Sequence, residues 1–464
     1  MLSMSVFQAT IVLAVIVVVI GGGIFAARSV EGSEGFSLGG RSAGVPMIAG
    51  CIAGTCVGGG ATIGAAQLAA SLGLSAIWFN IGMSLALIVM GVFYARPLRQ
   101  TSLETVPQFL RLNYGIGSER FSTVVSSLGI LFSAVASSLP GIALISALTG
   151  LTHVESALAL LVLVAAYAFF GGMKSAGMGG ILKMLLILLS LAIVGIYAWE
   201  ETQNPVVMAA IPVDWWNIFS CGSHHIIMSV LSLLVGVICT QTYIQAVFSA
   251  SNPHTAAIGA FSAAIVTLPV GIPCALVGMY MHVAHPEVPA LIALPTYLLN
   301  EAPTIAGAVA LGGLVLSIVS SIAGLSLGVG TMLARDLVIP RFGITDSHVE
   351  MVVMRGLIIG VIVVALGIAI THEHSQVLFW NYLSMALRGG GVFLPFTIAI
   401  FKTRAVPPRI TLISMIVSTA VAIAAAVLES PVQPLLLGLI VSGIILAFGF
   451  FKNGGDDEGE HVVG

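Results

Sequence analysis

The sequence predicts an all-α integral membrane protein of about thirteen transmembrane helices, and three observations carry that prediction. Of 464 residues, 58% are hydrophobic and only 8% charged, whereas a soluble globular chain carries about a quarter charged residues. Mean hydropathy is correspondingly high, at +1.10. Apolar runs of about 20 residues, the length a helix needs to cross the hydrocarbon, recur along the chain without the short alternating pattern of barrel strands. Finally, the basic residues fall almost entirely on one side of the resulting topology.

Read in order, the spans lie at roughly 6–27, 44–71, 74–95, 119–150, 155–173, 176–199, 223–247, 256–283, 303–333, 351–372, 376–401, 409–429 and 434–452. The first has no Lys or Arg before Arg28, so it lacks the basic start of a cleaved signal and reads as a retained helix. With the N-terminus outside, the inner loops receive Arg28 and Arg41; Arg96, Arg99, Arg111 and Arg120; Lys174; Arg335, Arg341 and Arg355; Lys402, Arg404 and Arg409; and Lys452. The outer loops receive none, and Lys183 and Arg388 remain inside spans. The positive-inside rule thus orients a multi-pass protein of the plasma (inner) membrane, and an odd span count leaves its C-terminus in the cytoplasm. The tail "KNGGDDEGEHVVG" reads as a short disordered end.

Three spans depart from plain apolar helix. The second contains "GTCVGGGATIG", residues 54 to 64, where Gly58, Gly59 and Gly60 allow either a tight helix crossing or a break. A broken helix offers a carbonyl end for a cation and an amide end for an anionic group, and backbone exposed at that depth must line a cavity or bind something. The ninth carries Ser317, Ser320 and Ser321 on one face, suited to an alkali cation or to bonds with their own helix carbonyls. The eleventh carries Arg388 ahead of Gly389, Gly390 and Gly391 near mid-span. An intramembrane arginine marks a functional site by default. With no Asp or Glu expected in any span, it needs carbonyls, water or an anionic ligand. Lys183, seven residues from its span's end, reads as snorkelling to the inner interface.

Other chemistry finds little support. Cys51, Cys56, Cys221, Cys239 and Cys274 are odd in number and lack CxxC spacing, against a disulfide or metal role. The outer-end histidines, including the His224 and His225 pair, read as interfacial polar residues rather than a metal site. No GxSxG, HExxH, Walker or GxGxxG context appears, so an enzyme is not expected. Nothing points to nucleic acid or to an obligate protein partner.

Seven stretches in order resemble the sodium/solute symporter family: "GGR" (39–41), "IGAAQLAASLGLSAIW" (63–78), "TVPQFLRLNYG" (105–115), "YAFFGGMKS" (167–175), "TQTYIQAVFSASNPHTA" (240–256), "IVSSIAGLSLGVGTMLARDL" (318–337) and "ALRGGGVFLP" (386–395). The resemblance spans about residues 36 to 405 and implies a LeuT-type core of two inverted five-helix repeats. On that reading 1–43 is an extra N-terminal helix and cytoplasmic loop, 44–199 the first repeat, 200–222 an extracellular loop and 223–401 the second repeat. Residues 402–452 form two extra helices and 453–464 an acidic cytoplasmic tail. The glycine run then falls on the helix that this fold breaks around substrate and ion.

By the same resemblance, sodium is the coupling ion, held by the carbonyls of Gly54, Val57 and Ser317 and the hydroxyls of Ser320 and Ser321. Two departures stand out. Cys56 and Ala61 replace the polar residues of sugar-carrying members, and Gly180 replaces the acid of a "WTD" motif. The stretch "GGMKSAGMGGILK" (171–183) is instead similar to acetate-type permeases of the family.

The expected function is therefore sodium-coupled uptake of a small organic solute, a carboxylate or amino acid, by alternating access across the lipid bilayer. Substrate contacts are expected from Gly58, Gly59, Gly60, Ala61, Thr62, Thr240, Gln241, Tyr243 and Arg388. The alternatives are proton-coupled or uncoupled transport on the same scaffold, and a membrane sensor that binds solute without moving it.

Overall fold

The computed structural model of the chain describes residues 4–28, 30, 32–428, 430 and 432–457, and these are helical throughout apart from turns and one isolated bridge between Ala43 and Ala250. Nine helices among the described residues are long and apolar enough to cross a membrane, or ten if the bent pair Ser223–Ile238 and Gln241–Phe248 is one span. Four shorter apolar helices accompany them, among them Val45–Cys56 and Ala290–Asn300. Length alone therefore does not reach the thirteen spans expected. The cause is visible in the second expected span, whose helix stops at Cys56 and resumes in a wide turn at Gly60–Gly64.

Burial separates centre from periphery. In the Thr304–Phe342 helix 89% of the apolar window is buried, against 22% for Val6–Ala27, so the former is the axis of the bundle and the latter lies on its outside. The axis packs on the 153–202 and 116–149 helices, and the 45–56 helix packs on the 153–202 helix and on Pro253–Thr267. His153–Thr202 is continuous by hydrogen bonding but breaks direction at Gly172 (φ 49°), where a Cβ would stand 2.1 Å from the Phe36 carbonyl oxygen. Only glycine accepts both the positive φ and that approach.

Two helix interruptions face the middle of the bundle. At the first, Val57 leaves helical geometry (φ −81°, ψ 70°) and the following glycines pack without side chains. A Cβ on Gly58 would lie 2.4 Å from Ser321 Oγ, on Gly59 2.5 Å from Pro140, and on Gly60 2.6 Å from Asn381. The glycine run thus serves both the break and the tight crossing. The second lies at Cys239 and Thr240, where the 223–238 and 241–248 helices meet at 49°. Sequence alone reads 223–247 as one span; the bend depends on bonds to a distant segment. Gln241 Nε2 donates to the Glu104 carbonyl (2.8 Å), and Gln241 Oε1 accepts from the Val106 amide (3.0 Å).

The end of the bundle that carries most Arg residues is tied by polar contacts. Arg335 reaches Glu104 (3.0 Å) and Glu350 (2.7 Å), and Arg41 reaches Glu34 (2.7 Å). Asp336 accepts from Thr105, Gln108 and Thr123 while buried. The axis helix runs on past 333 to Phe342, so Asp336 belongs to a candidate span, which corrects the expectation that no span holds an acid. At the other end of the chain the last helix is assigned from Pro434 to Asp457, and residues 458–464 of the expected tail lie outside the described residues.

Candidate functional site

The interrupted 45–56 helix ends at mid-bundle with its last carbonyls unpaired by its own helix, the negative end of its dipole. The 172–202 helix crosses it closely because glycines line the contact. A Cβ on Gly180 would meet the Gly50 carbonyl oxygen at 2.0 Å, and one on Gly177 would meet Met47 at 2.1 Å. Residues 177, 180 and 183 share one helical face at intervals of three, so the next side chain along that face enters the gap at the helix end. That side chain is Lys183. It is 0% exposed, and its Nζ donates to the carbonyls of Gly54 (2.5 Å) and Val57 (3.0 Å) and to Ser320 Oγ (2.7 Å). Snorkelling is thereby corrected: with those acceptors at hand, the ammonium stays in the interior.

Three of the five residues expected to hold sodium thus converge, and they converge on Lys183 Nζ. Ser320 Oγ also lies 3.0 Å from the Gly54 carbonyl and 3.3 Å from that of Ser317, so its hydroxyl accepts from the lysine and donates its proton to a carbonyl. Ser321 turns away, donating to the Thr55 carbonyl (2.9 Å) and pairing with Ser137 Oγ (3.2 Å). The Ser317 hydroxyl is buried without a partner among the described residues. This ligand set does not fit an additional sodium ion while the ammonium is in place. Its three N–H groups already take three of the acceptors, and two unit positive charges about 4 Å apart repel by about 4 kcal/mol at an effective dielectric near 20.

A small cavity lies beside this cluster, lined by Gly58, Gly60, Ala61, Tyr243, Ser321 and Arg388, and by Thr55, Cys56, Phe79, Met83, Ser133, Ser137, Asn381 and Met385 among others. It offers about 30 Å³ of room, enough for water and too little for an organic solute, so a solute enters only if the walls move apart. No carboxylate lines it. Arg388 is 2% exposed; its Nε donates to the Gly236 carbonyl (3.2 Å) and its Nη1 to Ser133 (3.2 Å) and Ser384 (2.8 Å). Its Nη2 makes no hydrogen bond among the described residues. Cys56 Sγ lies 3.7 Å from Met83 Sδ on the same wall, which Tyr243 also lines.

Several expected contacts lie elsewhere. Gly59 packs on Pro140, Thr62 Oγ1 bonds its own helix at Gly58 (2.9 Å), and Thr240 Oγ1 bonds back to Gly236 (2.7 Å). Gln241 is committed to residues 104 and 106. Ser133, Ser137 and Asn381 do not stand out in the sequence, although Ser133 and Ser137 recur at i, i+4 in an apolar span. That spacing was the available signal.

Comparison with known proteins fits this architecture. High-affinity choline transporters match over part of the chain: that of Torpedo marmorata is 28% identical over 263 residues, 54% of this chain and 44% of the relative, and the human one 27% over 256 residues, 53% and 44%. These matches span less than half the relatives' own length. Among solved structures, a substrate-bound, outward-open Na+-coupled sialic acid symporter superposes with a TM-score of 0.81 at 15% identity, covering 97% of each chain. A nucleobase-cation-symport-1 family transporter in a closed conformation with bromovinylhydantoin bound superposes at 0.57 and 15% identity, over 90% of this chain and 94% of that one. The structural likenesses establish the LeuT-type fold. The sequence profile described as "Sodium:solute symporter family" matches residues 36–417, and the chain belongs to that family.

Proposed function

We propose that the protein is a secondary transporter that takes up a small solute bearing a carboxylate, a monocarboxylate or an amino acid, by alternating access through the central cavity. The observation that carries this is Arg388: a buried guanidinium on the cavity wall, with no carboxylate facing it and one nitrogen unused by the protein. A planar fork with a free edge is suited to bidentate recognition of a carboxylate, and an arginine held at membrane depth is costly unless function retains it. Ser133, Ser137, Asn381 and Tyr243 add neutral donors and acceptors around the same space.

The choline transporters among the relatives suggest a quaternary ammonium instead. Phe79 and Tyr243 are aromatic residues among those lining the cavity, a residue type suited to such a cation, but Arg388 on the same cavity repels it. Thermal denaturation of the purified protein with millimolar acetate, pyruvate, alanine, choline or glucose separates these readings. A carboxylate is expected to raise the melting temperature of the wild type and not of Arg388→Gln. Stabilisation by choline alone, retained in Arg388→Gln, would exclude the carboxylate reading.

A further inference from the structure

We propose that Lys183 is the resident cation of the site formed by Gly54, Val57 and Ser320, taking the structural place of a sodium ion, so that solute moves without sodium being bound or carried there. The ammonium joins the interrupted 45–56 helix to the axis helix through Ser320 and to the 172–202 helix through its own stem. A dissociable cation at these oxygens would hold the same elements together and release them on leaving. A tethered one holds them in every cycle and cannot cross with the solute.

The surroundings are built for this charge. Gly177 and Gly180 bring the two helices to backbone contact one turn before the lysine. The approach therefore depends on residues of the same helical face, not on the ammonium alone. The counter-charge is supplied by dipoles: Thr304–Met332 and Val6–Ala27, both packed on the lysine's helix, contain no titratable residue. On the 45–56 helix the titratable side chains are the buried thiols of Cys51 and Cys56, and Cys56 lines the neighbouring cavity together with Tyr243 and Arg388. The carbonyls of Gly54 and Val57 lie at a helix C-terminus, where a positive charge is stabilised, and three donors meet three acceptors with none left over.

The inference rests on the transporter reading for its consequence, sodium-independent uptake, but its test uses no organic solute, so a wrong solute assignment leaves the result intact. Binding of labelled sodium to the purified full-length protein is measured with potassium as the balancing salt, in wild type, Ser320→Ala, Lys183→Ala and the double variant. The wild type is expected to show no sodium binding that Ser320→Ala removes. Lys183→Ala is expected to gain saturable binding that the double variant loses by at least tenfold. Ser320-dependent binding in the wild type would overturn the assignment, and so would a folded Lys183→Ala that gains none. Should Lys183→Ala fail to fold, Lys183→Ser replaces it, and the comparison of wild type with Ser320→Ala stands by itself.

Discussion

Two cations are buried at the centre of this protein, and their hydrogen bonds differ in a way that separates their roles. Lys183 has three donors and three protein acceptors, so the protein alone satisfies it. Arg388 has five donors, makes three bonds, and presents the remainder at a cavity wall. Both are costly to keep in a bilayer. The saturated charge acts as part of the scaffold and the unsaturated one as a receptor for something brought from outside. Burial does not distinguish them, since both side chains are almost fully enclosed; the count of unused donors does.

The largest effect is expected at Lys183. Lys183→Met keeps the apolar stem and removes the donors, stranding the Val57 carbonyl at about 1–3 kcal/mol and leaving Ser320 as the only donor to the Gly54 carbonyl. We expect a loss of thermal stability in potassium buffer that sodium partly restores; a loss that sodium does not touch would mean that the oxygens do not form a cation site once vacated. Gly180→Ala should come close behind. Its Cβ would press on the Gly50 carbonyl oxygen at 2.0 Å, so the crossing must open and the lysine must withdraw, at about 1–3 kcal/mol, read as a lowered melting temperature. An unchanged melting temperature would show that the crossing does not set the lysine's position.

Arg388→Lys tests the other half of the comparison. Charge is kept and the fork lost, so we expect carboxylate affinity to fall about tenfold, equivalent to about 1.4 kcal/mol, with a much smaller change in stability than at Lys183. Equal losses of stability at both positions would erase the distinction. Gln241→Ala should leave solute affinity unchanged, because its side chain is spent on residues 104 and 106. A stability loss of about 1 kcal/mol is expected, and a selective fall in affinity would return Gln241 to the cavity wall.

Much of this was legible in the sequence. Consecutive glycines at 58–60 marked the break, the serines at 317, 320 and 321 marked the helix opposite, and Arg388 stood out as a charge without a partner in its own span. Lys183 was visible but misplaced. In a span apolar on all sides, hydropathy cannot tell which face meets a neighbour, and distance from the helix end suggests snorkelling. The spacing of Gly177, Gly180 and Lys183 on one face was the usable clue, because small residues mark the side where backbones approach. Asp336 was missed for a related reason: a hydropathy boundary at 333 ended the span, whereas the helix and its burial continue. Gln241 was read as a substrate contact, and its commitment to the 104–106 segment was not legible because that partner lies 135 residues away in sequence.

The most direct test is uptake of labelled monocarboxylates and amino acids by proteoliposomes containing the wild type or Arg388→Gln, with either sodium or potassium outside. Saturable uptake of a carboxylate at equal rates in the two salts, abolished in Arg388→Gln, is the expected result. Uptake that requires sodium, or that proceeds unchanged without the arginine, would contradict the division of roles between the two buried cations.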